Sequence, residues 1–125
     1  MIYLLDTHAL LWGLYDSSEL SENAKMIFNT ESCCISIATL WELAIKSSLG
    51  KINLNQSIQE IADTCEHSGI DLINIRTEHC QMVTKLPFIH KDPFDRMLIA
   101  QSLVENYTIV TKDGFIPLYP INTIW

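Results

Sequence analysis

Four apolar residues, Ile2-Tyr3-Leu4-Leu5, run straight into an acid, Asp6. A short continuous apolar run is the mark of a strand buried on both faces, as strands are in a parallel sheet. Three more such runs follow at Cys33–Ser36, Leu72–Ile75 and Tyr107–Thr111, and Ile121–Ile124 can add a short edge strand. Helical patterns lie between them. Ser21 caps a helix running to about Phe28. The segment Ile37–Leu49 carries Leu40, Trp41, Leu43, Ala44 and Ile45, and Gly50 stops it. Ser57–His67 is amphipathic through Ile58, Ile61, Ala62 and Cys65 and is closed by Gly69, while Glu78–Leu86 is ended by Pro87. Before Pro93–Glu105 stands the strongest start signal, with Asp92 as N-cap, Pro93 at N1 and Asp95 at N3. Strand and helix alternate throughout, which predicts an α/β fold: a three-layer α/β/α sandwich whose mainly parallel sheet is covered on both faces.

At 125 residues the chain is the size of one domain, 1–125, with no linker, repeat or low-complexity segment inside it. No apolar stretch approaches the roughly 20 residues that span a bilayer, so no membrane association is expected. No basic region precedes an apolar one as in a secretory signal. The four cysteines lack paired C-x-x-C spacing, and adjacent Cys33 and Cys34 bridge poorly, so buried reduced thiols in a cytoplasmic protein are expected. Fifteen acids against eight bases leave a net charge of −7, which excludes binding nucleic acid by a broad basic face. The charge is uneven. Residues 1–45 hold six acids and one base, whereas 85–125 hold four of each, so any surface facing an anion draws on the second half.

Four acids stand where the fold has little use for them. Asp6 and Asp113 lie at the carboxyl ends of buried strands, the edge where open α/β sheets bind ligands. Glu42 sits in the first half of an apolar helix, and Asp95 in the first turn of another. Each also has a plain structural use: Asp6 and Asp113 as caps, Glu42 in an i,i+4 pair with Lys46, Asp95 at the positive end of a helix dipole. Two strand ends and two helix N-terminal halves, however, converge on one sheet edge. Four carboxylates gathered there repel one another unless a cation lies between them, and a hard divalent ion, Mg²⁺ or Mn²⁺, suits carboxylates, water and phosphate together.

The run Ile2-Tyr3-Leu4-Leu5-Asp6-Thr7-His8, then Ser36 leading into Leu40-Trp41-Glu42-Leu43-Ala44-Ile45-Lys46, resembles a PIN-domain protein. The runs His90-Lys91-Asp92-Pro93-Phe94-Asp95-Arg96-Met97-Leu98-Ile99-Ala100-Gln101 and Ile109-Val110-Thr111-Lys112-Asp113, with Tyr119-Pro120 and Trp125, are similar to the later blocks of the same family. The W-E-L-A-I-K and D-P-F-D-R blocks point to its VapC-like branch, the toxins of type II toxin–antitoxin systems. The resemblance implies a PIN-like fold and a Mg²⁺- or Mn²⁺-dependent endoribonuclease. A cognate antitoxin, an RNA substrate and a homodimer are implied with it. Its acidic site falls on Asp6, Glu42, Asp95 and Asp113 as metal-binding and catalytic residues, with Thr7 and Thr111 as hydroxyl supports. Lys46, Lys91, Arg96 and Lys112 are candidate phosphate contacts, each with a surface ion pair as its plain alternative. For His8 and His90 a structural or capping role is expected. Gly114, Phe115 and Ile116 stand where many relatives carry a further acid, which favours one well-held ion.

Other classes fit less well. A receiver-type phosphotransfer domain wants an acidic pair after the first strand, and a haloacid-dehalogenase-like phosphatase wants D-x-D, where this chain has Asp6-Thr7-His8. The alternative within the family is a PIN-domain nuclease of RNA processing or turnover without an antitoxin. Trp12, Leu14 and Tyr15, with Trp41 and Ile45, are either core or an apolar groove for an antitoxin segment.

Overall fold

A computed structural model describes residues 1–125. Five strands, β1 (Tyr3–Leu5), β2 (Cys33–Ser36), β3 (Asp71–Ile73), β4 (Thr108–Val110) and β5 (Asn122–Ile124), form one sheet in the order β3-β2-β1-β4-β5. Every pairing is parallel, so the sheet is wholly rather than mainly so. Each of the first three crossovers contains two helices: α1 (Thr7–Leu14) and α2 (Glu22–Thr30), then α3 (Ile37–Ser48) and α4 (Ile58–His67), then α5 (Thr77–Val83) and α6 (Pro93–Glu105). A 3₁₀ turn, Ile116–Leu118, lies on the way to β5.

Because strand side chains alternate, neighbours in sequence feed opposite cores. Leu5, Cys33, Ile35 and Val110 face a core built with α1 to α4, while Leu4, Cys34 and Ile109 face one built with Leu98, Ile99 and Ala100 of α6. These are the three layers. β3 departs from expectation. It spans Asp71–Ile73 rather than Leu72–Ile75, and Leu72 is 43% exposed, because β3 is an edge strand with one flank unpaired. The helix expected over 78–86 spans Thr77–Val83, giving way to turns before Pro87. Cys80 on that helix is exposed, against the expectation that all four thiols are buried; the other three are.

Local chemistry sets the helix starts. Ser21, Ser36, Ser57 and Asp92 cap α2, α3, α4 and α6 with side-chain oxygens on backbone N–H groups. Gly50 and Gly69 take positive φ just beyond α3 and α4. Gly13 in α1 has another purpose. A Cβ there would fall 2.3 Å from the Phe28 ring, which lies against the helix backbone. Gly13→Ala is therefore expected to forfeit the roughly 1 kcal/mol of helix propensity it would otherwise gain and to cost about 1–3 kcal/mol net, read as a lower Tm.

Candidate metal centre

In the strand order β3-β2-β1-β4-β5 the chain turns outward in opposite directions from β1 and β4, and their carboxyl ends flank the crevice that such a switch creates. Asp6 follows β1. It caps α1, with Oδ1 accepting from the Ala9 N–H at 2.8 Å, while Oδ2 accepts from the Thr111 hydroxyl at 2.5 Å. Thr111, just past β4, also accepts the Asp113 N–H at 3.0 Å. One side-chain contact thus ties the ends of both central strands and the approach of Asp113. Glu42 enters from α3. Its Oε1 accepts from the Thr7 hydroxyl and its Oε2 from the Lys46 ammonium, each at 2.6 Å. The expected i,i+4 pair therefore exists, but with a buried carboxylate rather than on a solvated face.

Asp6, Glu42, Asp95 and Asp113 come together with Asp92, Thr7, His8, His90, Lys46, Lys112 and Trp12 around a cleft of about 440 Å³. Five carboxylates face one space in which Trp12 is the one apolar side chain. The electrostatics record the crowding. Asp95 is pushed up from 3.8 to about 8, first by burial and then by Asp92, Asp6, Glu42 and Asp113. Burial also raises Asp6, against the hydrogen bonds from Thr111 and Ala9. Burial acts on Asp113 too, but the N–H groups of Ile116 and Phe115 and the neighbouring His90 outweigh it and hold the carboxyl below the usual range. Lys46 is raised, mainly by its bond to Glu42.

A folded-state acid near 8 binds its proton more tightly than the unfolded chain does. In the metal-free protein stability should therefore fall as pH rises from about 4 to about 8, with the loss complete above that. Asp95→Asn is expected to flatten this slope and to raise stability at pH 8 by about 2 kcal/mol, or roughly 6–10 °C in Tm. Melting curves across that pH range in chelator check both.

The donor set fits a hard divalent cation. It offers carboxylate oxygens on a rigid edge, with more negative charge than Lys46 and Lys112 balance, and room for water beside them. Carboxylate oxygens already accepting one hydrogen bond keep a second lone pair for an ion.

Arg96 is elsewhere. It is buried, with Nη1 donating to the Pro87 carbonyl at 2.9 Å and Nη2 to those of Val83 and Leu86 at 3.3 Å, and its guanidinium lies 4.1 Å from the centre of the Phe88 ring. It braces the 83–90 loop and does not line the cleft where a phosphate contact was expected of it. Trp12 and Trp41 do not share a groove. Trp12 borders the acidic cleft and packs on Trp125, whereas Trp41 is 60% exposed beside Phe94, over separate hollows.

Asp92, His90 and His8, none of them expected in the acidic site, also line the cleft. Asp92 lines it while capping α6. His90 has Nε2 3.0 Å from Asp95 Oδ2 and 3.2 Å from Asp113 Oδ2. The available signal was position: a residue just before an N-cap enters the mouth that the first turn of the helix faces.

The PIN domain family model matches residues 3–116. No curated protein sequence matches the chain significantly. Among solved structures, VapBC2 from Rickettsia felis, bound to a DNA fragment from their promoter, is similar at TM-score 0.73 and 18% identity, covering 99% of this chain and 98% of that one. VapBC-1 from nontypeable Haemophilus influenzae is similar at 0.68 and 20%, covering 99% and 97%. A toxin–antitoxin complex from Klebsiella pneumoniae gives 0.66 and 17%, covering 98% and 96%. At these identities the likeness is one of fold.

Proposed function

The chain belongs to the PIN-domain family, and from that premise we propose that it is a divalent-metal-dependent endoribonuclease, the toxin of a type II toxin–antitoxin pair. The observation that carries the reading is the cleft itself: five carboxylates meet at the carboxyl edge of a parallel sheet, and burial, with the charge of the other four beside it, leaves Asp95 near 8. Similarity of fold over nearly the full length of a chain in each of two VapBC structures supports the antitoxin partner.

Asp6, Glu42, Asp95 and Asp113 hold Mg²⁺ or Mn²⁺, with Asp92 beside them. Bound there, the ion supplies Lewis acidity toward water and a phosphodiester oxygen. The chain's own residues do the rest. Thr111 and Thr7 fix the rotamers of Asp6 and Glu42, so that both carboxylates face the cleft before substrate arrives. Lys46 and Lys112, the ammonium groups lining the cleft, offer contacts to the RNA backbone. A net charge of −7 keeps that affinity local. The reading includes a single domain over 1–125 and a homodimer.

Expression of the chain alone is expected to arrest growth, with relief by its antitoxin neighbour. The purified protein is expected to cut RNA with Mg²⁺ or Mn²⁺ and to stop in excess chelator. Undiminished cleavage in chelator refutes the nuclease mechanism. Harmless expression of an active enzyme refutes the toxin role and favours an RNA-processing nuclease.

A further inference from the structure

We propose that His90 is a positioning residue: its imidazole donates from Nε2 to hold Asp113 beside Asp95, so that the two carboxylates face the cation together, and it does not ligate the cation itself. The proposal rests on the reading of the cleft as a metal centre. On composition alone the opposite would follow, because His90, Asp95 and Asp113 bring one nitrogen and two carboxylate oxygens within 4.8 Å of one another.

The other side of the ring decides between the two. The backbone N–H of Asp92 donates to His90 Nδ1 at 3.1 Å. A ring nitrogen that receives an N–H carries no proton, so the proton of the neutral ring is on Nε2, where it faces the carboxylates. Nε2 donates to Asp113 Oδ2 at 3.2 Å and lies 3.0 Å from Asp95 Oδ2. A neutral imidazole binding a metal through Nε2 must carry its proton on Nδ1. That proton would meet the Asp92 N–H head on.

The Asp92 N–H is not at liberty to turn away. Asp92 caps α6, with Oδ1 accepting from the N–H groups of Phe94 at 2.8 Å and Asp95 at 3.2 Å. His90 is anchored as well. Its own N–H donates to the Tyr119 hydroxyl at 2.8 Å, which donates in turn to the Pro87 carbonyl at 2.6 Å. The ring is thus set between a fixed donor and two acids that arrive from different elements. Asp113 Oδ1 is already engaged by the N–H groups of Phe115 and Ile116. With His90 placed against both Oδ2 atoms, Asp95 Oδ1 is left to turn to the ion.

The tautomer is read in the metal-free protein by long-range ¹H–¹⁵N NMR of the imidazole, and cation binding by Mn²⁺ titration and the electron spin-echo spectrum of the Mn²⁺-loaded protein. Expected are a proton on Nε2, no directly coordinated imidazole nitrogen, and Mn²⁺ binding about tenfold weaker in His90→Leu. His90→Gln, whose amide can donate from nearly the same place, should recover most of that loss. A proton on Nδ1, a coordinated nitrogen, a Leu variant that binds as tightly as the wild type, or a Gln variant no better than Leu overturns the proposal. If His90→Leu does not fold, the tautomer and spin-echo measurements on the wild type still decide. A wild type that binds no Mn²⁺ sinks the metal reading and the positioning role together. Bound Mn²⁺ with the wrong tautomer sinks the positioning role alone.

Discussion

Asp6→Asn should fold like the wild type and lose RNA cleavage by roughly a thousandfold or more. An amide at this place keeps an oxygen for the Ala9 N–H, so the cap of α1 survives. Its NH₂ then faces Thr111, whose hydroxyl can turn to accept, since it already accepts the Asp113 N–H. What disappears is one negative charge against the cation. The Lewis acidity of a well-held ion is worth several kcal/mol, and each 1.4 kcal/mol is about tenfold in rate. Asp95→Asn sharpens the test, because its expected losses and gains run in opposite directions: cleavage collapses while the metal-free protein becomes more stable at pH 8. Single-turnover cleavage and melting curves on the same preparations read both. Full activity in either variant refutes the assignment.

Arg96→Ala is the second large effect, and it is one of stability. The guanidinium lies under the 83–90 loop with three backbone carbonyls within 3.3 Å, and its Nη1 is 3.4 Å from both the His90 carbonyl and the Tyr119 hydroxyl. Truncation removes the charged donor from all of them and leaves the Leu86 and His90 carbonyls without one, while Pro87 keeps the Tyr119 hydroxyl and Val83 the Leu86 N–H. Losing these charge-assisted bonds and leaving two carbonyls unpaired costs about 2–4 kcal/mol, roughly 6–15 °C in Tm for a chain of this size. Arg96→Lys should recover little, because one ammonium cannot reach carbonyls spread around a planar fork. A Tm within a few degrees of the wild type in Arg96→Ala would show that this network does not hold the loop.

These two residues are neighbours in sequence, and they show what could and could not be read there. Asp95 was legible because Asp92 and Pro93 fix the first turn of α6, and the first turn of a helix entering a parallel sheet opens toward the ligand-binding edge. Arg96 stands beside Asp95 in the motif and yet does not line the cleft. Successive residues of a helix point about 100° apart, so the side chain after a cleft-facing acid is turned out of the cleft, here into the packing under a loop. Asp6 was legible for the same reason as the sheet: an apolar run that ends in an acid places that acid at a strand's carboxyl end. The exposure of Leu72 was not, since a strand's position at the edge depends on the order in which strands pair and not on its own residues. The place of His90 in the cleft is not legible, because a loop residue carries no periodicity. Its place depends on Tyr119, 29 positions away, and on closure of α6 against the sheet.

The bond between Thr111 and Asp6 joins positions 105 residues apart, and β1 pairs with β4 over the same distance. Contacts of such separation form only after the intervening chain has been made and collapsed. During synthesis Asp6 emerges early, but the strand that braces it and the loop that brings Asp113 arrive last. The acidic cleft is thus assembled only when translation has passed residue 113, and no shorter nascent chain contains it.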